Sequence, residues 1–225
     1  MKIALIGYGK MGHAIEALAM ERGHEVVLKV DKDDPWPLER GKRPEVAIEF
    51  TTPATAVDNM LRCLEAGLPV VCGTTGWYAD YKKIVGECKA RGGRLFTATN
   101  FSIGMNIMFA LNERLATLMR GRDNYRVSIS ETHHIHKLDA PSGTAITLQE
   151  QIVENGKRKV ESIPIASFRE GEVPGTHTVV YDSEIDTLTL THEAHSRKGL
   201  ALGALLAAEF LAKAEPGVYT MKDIL

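Results

Sequence analysis

Short apolar runs and longer stretches of helical spacing alternate through the first half of the chain, and this alternation constrains the fold more than any other feature. "KIALIG" reads as a buried strand. "KMGHAIEALAMERG" follows with Met11, Ile15, Leu18 and Ala19 at helical spacing and Gly23 as a stop. "HEVVLKVD" and "EVAIEFT" are the next strands, with "DDPWPLERGKRP" between them a loop by its prolines and charges. "PATAVDNMLRCLEAG" is a helix with Pro53 in its opening turn, and "LPVVCGTTG" a strand and turn. "YADYKKIVGECKARGG" is a helix and "RLFTATN" a strand. Repeated alternation with short connections predicts an α/β domain with a doubly wound parallel sheet. Such sheets bind ligands outside the carboxyl ends of their strands.

"GYGKMG" falls where that frame makes it informative, closing the first strand and opening the first helix. Gly7 suits the tight turn, Gly9 lets backbone approach a pyrophosphate, and Gly12 lets helix pack closely on sheet. The helix start adds unpaired N–H groups and a positive dipole end. Asp31, 24 residues after Gly7, stands at the end of the second strand, where a carboxylate can accept from the adenosine ribose. The competing reading is an αβ unit whose glycines only make turns. The agreement of context favours a Rossmann-like dinucleotide-binding domain.

The second half is patterned differently. "SIGMNIMFALNERLATLMRG" and "GTAITLQEQIVENG" are helical. "NYRVSISETHH" is a strand in which Tyr125, Val127 and Ile129 alternate. "IPIASFRE", "GTHTVVYDS" and "DTLTLTHEAH" are short alternating segments, expected to form an open mixed or antiparallel sheet in a smaller α+β domain. "KGLALGALLAAEFLAKAE" is a long apolar helix. Hinges are expected near residues 100–104 and 196–198, so that the last helix returns to the first domain. The expected division is 1–103 plus 197–225 for dinucleotide binding, and 104–196 for substrate binding and oligomerisation.

Charge and cysteine usage exclude several classes. The net charge of −2 over 225 residues offers no basic surplus for nucleic acid. No apolar run reaches the roughly 18 residues of a membrane span, and "MKIALIGYGK" lacks the features of a signal peptide. A cytoplasmic location is expected. Cys63, Cys72 and Cys88 are an odd, scattered set that fits reduced thiols.

"ETHHIHKLDAPSGTA", residues 131–145, concentrates the chemistry. A zinc site would need three or four converging ligands. The cysteines lie far away and no HExxH spacing is present, so no metal is expected. "DAPSGTA" reads as a turn into a helix, with Ser142 or a neighbour as cap and Gly143 and Thr144 offering N–H groups at its start. Lys137 and a protonated histidine would add positive charge, so this region suits a small anion. Histidine is also the natural proton donor near neutral pH.

The same stretch closely resembles the central motif of the 4-hydroxy-tetrahydrodipicolinate (dihydrodipicolinate) reductases of the diaminopimelate and lysine pathway. That pattern is E-x-H-H-x-x-K-x-D-A-P-S-G-T-A, and every fixed position is met. "GYGKMG", "EFTTP", "VVCGTTG", "ATNFSIGMN", "SFREGEVPGTHTV" and "LTHEAHSR" resemble further motifs, so the likeness covers most of the chain.

The resemblance implies a reduction of a cyclic imine or enamine dicarboxylate by NADH or NADPH, with a proton added to the ring. It implies His133 as proton donor and Lys137 as second catalytic residue. His134, Gly143 and Thr144 become carboxylate contacts. Gly7, Tyr8, Gly9, Lys10, Met11, Gly12, Asp31, Lys32, Gly73, Thr74, Thr75, Ala98, Thr99, Asn100 and Phe101 become cofactor contacts. It further implies a homotetramer formed through the second sheet. Arg197 matches a late basic position, and structural roles are expected for His136 and Asp139. An amino-acid dehydrogenase of similar architecture would explain the glycine loop but not the central motif. A catalytically dead sensor would not need both His133 and Lys137. The segment between Asp31 and Glu45 is short for the family, which could remodel the adenosine end of the cofactor site.

Overall fold

The computed structural model describes residues 1–31 and 43–225. In chain order the described elements are β1 (Lys2–Ile6), α1 (Lys10–Glu21), β2 (Glu25–Val30), β3 (Val46–Glu49), α2 (Pro53–Glu65), β4 (Val70–Cys72), α3 (Tyr81–Ala90), β5 (Arg94–Thr97) and α4 (Ile103–Leu118). They continue with β6 (Arg126–His133), α5 (Gly143–Gly156), β7 (Ile165–Arg169), β8 (Gly175–Asp182), β9 (Thr187–Ala194), α6 (Lys198–Leu211) and β10 (Gly217–Tyr219). The chain forms two compact units, Met1–Ile103 with Leu200–Leu225, and Gly104–Gly199.

The first unit holds a six-stranded sheet in the order β10-β5-β4-β3-β1-β2, parallel throughout. Its strands are apolar on both faces, as a parallel sheet covered twice requires. Ile3 and Leu5 of β1 face a layer containing Ile15 and Ala19 of α1 and Ala204, Leu205 and Ala208 of α6. Ala4 and Ile6 face the opposite layer, with Ala56 and Met60 of α2 and Ile84 and Cys88 of α3. Each large side chain so buried contributes about 1.5–3 kcal/mol. The close fit of α6 depends on Gly203, where a Cβ would lie 1.7 Å from the Phe101 carbonyl oxygen. Local signals set the helix starts. Thr52 and Thr55 form a capping box ahead of α2, and Pro53 occupies its first turn.

Strand β10 was not foreseen. Three residues at a sheet edge carry no periodic signal, and only pairing with β5 makes Gly217–Tyr219 a strand.

The strand order reverses direction at β1. The chain runs from β1 outward to β2, then crosses back to place β3 on the other side of β1. The loops after β1 and β3 therefore leave the sheet at its topological switch point, where a crevice opens at the carboxyl ends.

The second unit holds a mixed four-stranded sheet, β7-β6-β8-β9, with β6 parallel to β7 and the other pairs antiparallel. Helices α4 and α5 bury Met105, Met108, Leu148 and Ile152 against Val127, Ile129, Val179 and Tyr181 of β6 and β8. Among the described residues no helix is long and apolar enough to cross a membrane.

Candidate active site

In the first unit the loops at the switch point form a groove of about 420 Å³, lined by Gly9, Lys10, Met11, Phe50, Thr51, Pro53, Gly73, Thr74 and Thr75. Gly7 turns the chain out of β1 at φ 88°, and a Cβ there would lie 1.9 Å from the Phe50 carbonyl oxygen. No side chain would fit that position. A Cβ on Gly73 would lie 2.0 Å from the Phe50 ring. Gly9 differs, because nothing of the protein lies within 4 Å of the space its side chain would fill. Gly9 also stands at the N-cap of α1 with no side-chain cap. An open backbone, an uncapped helix start and a crevice at the switch point together fit a dinucleotide pyrophosphate.

Cross-links order these loops. The Gly7 N–H donates to the Val30 carbonyl at 2.8 Å, which holds the glycine turn beside the end of β2, where Asp31 follows on the surface. The Thr51 N–H donates to Thr74 Oγ1 at 2.7 Å, joining the loops after β3 and β4. Phe50, Thr51 and Pro53 were missing from the expected contacts, although "EFTTP" had been singled out as a motif. Their spacing carries no chemistry until β3 lies beside β1.

Ala98, Thr99 and Asn100 follow β5 outside that groove. The Phe101 side chain is buried in the core against Phe50 and Phe96, so any contact it makes with a ligand runs through its backbone. Tyr8 and Lys29 belong to a surface cluster with Glu16. Lys29 Nζ lies 2.8 Å from Tyr8 Oη and 2.7 Å from Glu16 Oε1, and the Tyr8 hydroxyl donates to Glu16. The hydrogen bond from Lys29, ahead of that from Tyr8, holds the Glu16 carboxyl below its usual range. Lys29 is thus engaged already and not a loose ammonium over the ribose. Lys32 lies outside the described residues.

In the second unit the alternation of β6 extends past its apolar residues. Val127, Ile129, Glu131 and His133 all point to the buried face. Cross-strand pairing sets Glu131 between Ser167 of β7 and His177 of β8. Glu131 Oε1 accepts from Ser167 Oγ at 2.8 Å and from the Ser142 N–H at 3.0 Å, with Arg169 Nη2 at 3.7 Å. Glu131 Oε2 points at two imidazoles, 3.4 Å from His133 Nε2 and 3.6 Å from His177 Nε2. The two Nε2 atoms are 3.3 Å apart. Ser142 caps α5 by accepting from the Ala145 N–H, and its hydroxyl lies 3.3 Å from His177 Nε2.

The electrostatics follow from burial. Burial opposes the charge on Glu131, but the hydrogen bonds from Ser142 and Ser167 and the neighbouring His133 outweigh it and hold the carboxyl below its usual value. Burial pushes His133 down, Glu131 pulls it back, and Lys137 and Arg169 push it down further, for a net lowering. His177 is pushed down to about 4, by burial first and by His133 second.

The remaining motif residues lie toward the surface. Lys137 Nζ meets both Asp139 oxygens, at 2.8 and 2.9 Å. Burial opposes the Asp139 charge, yet Lys137 holds its carboxyl below the usual value. Arg169 braces this turn by donating to the Lys137 and Asp139 carbonyls. His136 pairs with Glu172 at 3.1 Å. Arg197 Nη2 approaches His134 Nε2 to 3.4 Å, which brings the late basic position to the motif. Gly143 and Thr144 begin α5.

The sequence reading found no converging set of metal ligands, and this needs correcting. Glu131, His133 and His177 bring their donor atoms within 4.8 Å of one another. His177 was overlooked because it comes from another strand. The mutual distances equally suit hydrogen bonding, and Glu131 Oε1 is already saturated by protein donors.

Comparisons with known proteins identify the family. Residues 1–101 match the family described as dihydrodipicolinate reductase, N-terminus, and residues 104–225 match its C-terminus. The chain belongs to the dihydrodipicolinate reductase family. It is 47% identical to the 4-hydroxy-tetrahydrodipicolinate reductase of Christiangramia forsetii, over 100% of this chain and 98% of that one. It is 36% identical to that of Thermosipho africanus, with the same coverage of both chains. The fold matches a dipicolinate-bound dihydrodipicolinate reductase from a Paenisporosarcina species with a TM-score of 0.81 at 23% identity, covering 100% of this chain and 99% of that one. This reductase is accordingly a pyridine-nucleotide-dependent oxidoreductase of lysine and diaminopimelate biosynthesis.

Proposed function

We propose that the first unit binds NADH or NADPH in the groove of Gly9, Gly73 and Thr74, and that the second unit presents His133 and Lys137 to a cyclic dicarboxylate. The observation that carries this reading is the buried Glu131–His133–His177 set on β6 and β8, beside the helix start at Gly143. A bound reduced nicotinamide supplies the hydride. The chain's own residues orient the substrate and provide the proton. Lys137, His134 and Arg197, with the backbone N–H groups of Gly143 and Thr144, suit carboxylate binding. Asp139 presently neutralises Lys137, so a substrate carboxylate would have to compete with it for the ammonium. His133 is the proton donor in this reading.

Asp31 favours NADH, and the tie between Lys29 and Glu16 weakens one route to holding the extra phosphate of NADPH. We therefore propose use of both cofactors with NADH preferred. A homotetramer assembled through the second sheet fits the face of that sheet turned away from α4 and α5, where Phe168 is exposed beside Thr132. Activity in the cytoplasm fits a biosynthetic reductase. The test is oxidation of NADH and of NADPH with freshly generated 4-hydroxy-tetrahydrodipicolinate. Failure with both cofactors would end the reading.

A further inference from the structure

We propose that Glu49 is the positioning residue of the cofactor groove: its buried carboxylate gathers a hydroxyl, an amide and a thiol from three segments under the groove, and so fixes the loops that carry Thr51 and Thr74. The inference rests on that groove being the dinucleotide site.

Geometry carries the argument. Glu49 ends β3, pairs with Ile6 of β1 and Cys72 of β4, and is 0% exposed. Every other residue of β3 is apolar. A carboxylate buried among them costs free energy unless its oxygens are hydrogen-bonded. The donors come from different places in the chain. Oε1 accepts from the Thr51 hydroxyl and lies 3.5 Å from Asn59 Nδ2 of α2, and Oε2 accepts from Cys72 Sγ at 3.1 Å. Burial first, and the Glu49 carboxylate second, push the Cys72 thiol up, so the sulfur keeps its proton and stays a donor.

The consequence at the groove follows from how many protons each group has. The Thr51 hydroxyl has one, and a carboxylate only accepts. With that proton aimed at Glu49, the hydroxyl's lone pairs are left for Thr55 Oγ1 at 2.9 Å and Asn59 Nδ2 at 3.3 Å, both on α2. The Thr51 side chain is thereby held, and its backbone N–H donates to Thr74 Oγ1 at 2.7 Å. The Thr74 carbonyl in turn accepts from Trp77 Nε1 at 2.8 Å, and the Gly73 N–H donates to the Glu49 carbonyl at 2.9 Å. Thr51, Gly73 and Thr74 line the groove. One carboxylate thus sets the loops after β3 and β4 against each other and, being fully buried, touches no ligand itself.

The test variant is Glu49→Leu, which keeps much of the side-chain volume and removes the acceptor. Relief of the carboxylate's burial offsets the lost hydrogen bonds, so the thermal midpoint should not fall. The Thr51 hydroxyl is then free to turn. In the protein without cofactor the Thr51 amide should exchange its hydrogen faster, while the Ile48 and Val71 amides within the sheet stay as protected as before. The dissociation constant for NADH, measured by quenching of tryptophan fluorescence, should rise about tenfold, the contribution of one positioned hydrogen bond. KM for NADH should rise with it, and kcat and the KM of the cyclic dicarboxylate should change less. Glu49→Gln, whose amide oxygen still accepts from Thr51, should restore much of the affinity. Native NADH affinity in Glu49→Leu overturns the proposal. So does an equal loss of NADH affinity, substrate affinity and thermal midpoint, which marks a purely structural role. If Glu49→Leu does not fold, Asn59→Ala and Cys72→Ala each remove one donor: weaker NADH binding in either supports the proposal, and native affinity in both overturns it. The groove reading fails separately. NADH that binds the native protein and leaves the Thr51 and Thr74 amide signals unmoved refutes the groove and the proposal together, whereas unaltered affinity in Glu49→Leu with those signals moved refutes the role of Glu49 alone.

Discussion

In the first unit the proposed cofactor groove is shaped by Gly7, Gly9 and Gly73, where a side chain would collide or obstruct. In the second unit the corresponding place is taken by a largely buried row of polar side chains, Ser167, Glu131, His177 and His192, aligned across β7, β6, β8 and β9 by strand pairing. The difference teaches how each handles charge. In the proposed reading the groove would meet an anion with peptide dipoles, which cannot titrate. The row across the second sheet holds its charges by mutual compensation, so its state depends on pH and on every member. Substitutions in the first should change cofactor affinity, and those in the second should change turnover and its pH profile.

The largest expected effect breaks the second region alone. His133→Ala should lower kcat by about 10²-fold or more, the contribution of a positioned acid, with a smaller change in KM. Near-native turnover would remove it from the proton step. Lys137→Ala should lower kcat and raise KM together, since one ammonium serves carboxylate binding and proton delivery. Titration of the variant with NADH alone should give nearly native affinity. Weak NADH binding with intact substrate binding would place Lys137 in the wrong region.

A smaller effect sharpens the first region. The native enzyme should prefer NADH by about tenfold or less, equal to roughly 1.4 kcal/mol. Asp31→Ala should move the ratio of kcat/KM values toward NADPH. Glu16→Gln, which releases Lys29, should move it the same way by less. A strong NADPH preference unaffected by either change would show that Asp31 does not face the ribose. The smallest expected effect is none: prolonged treatment with a strong chelator should leave activity intact. Loss of activity with recovery on adding zinc would make Glu131, His133 and His177 ligands.

By itself the sequence determined what depends on neighbours along the chain. The strand–helix alternation, the glycine turn of Gly7, Gly9 and Gly12, the cap at Ser142 and the motif from Glu131 to Thr144 are all contiguous, because each is a local conformation or a local helix start. Tertiary structure decided what depends on pairing. It put Phe50 and Thr51 into the groove by laying β3 beside β1, made a strand of Gly217–Tyr219 by docking it on β5, and tied Lys29 to Glu16 across the surface of α1 and β2. It also gave Glu131 its meaning. The alternation of Val127 and Ile129 already set Glu131 and His133 on the buried face, but the partner that completes the set, His177, lies 46 residues further along. Strand register brings it opposite, and nothing in the spacing of either segment specifies that register alone. Burial then fixes the charges, because a carboxylate and two imidazoles removed from water must settle their protons among themselves.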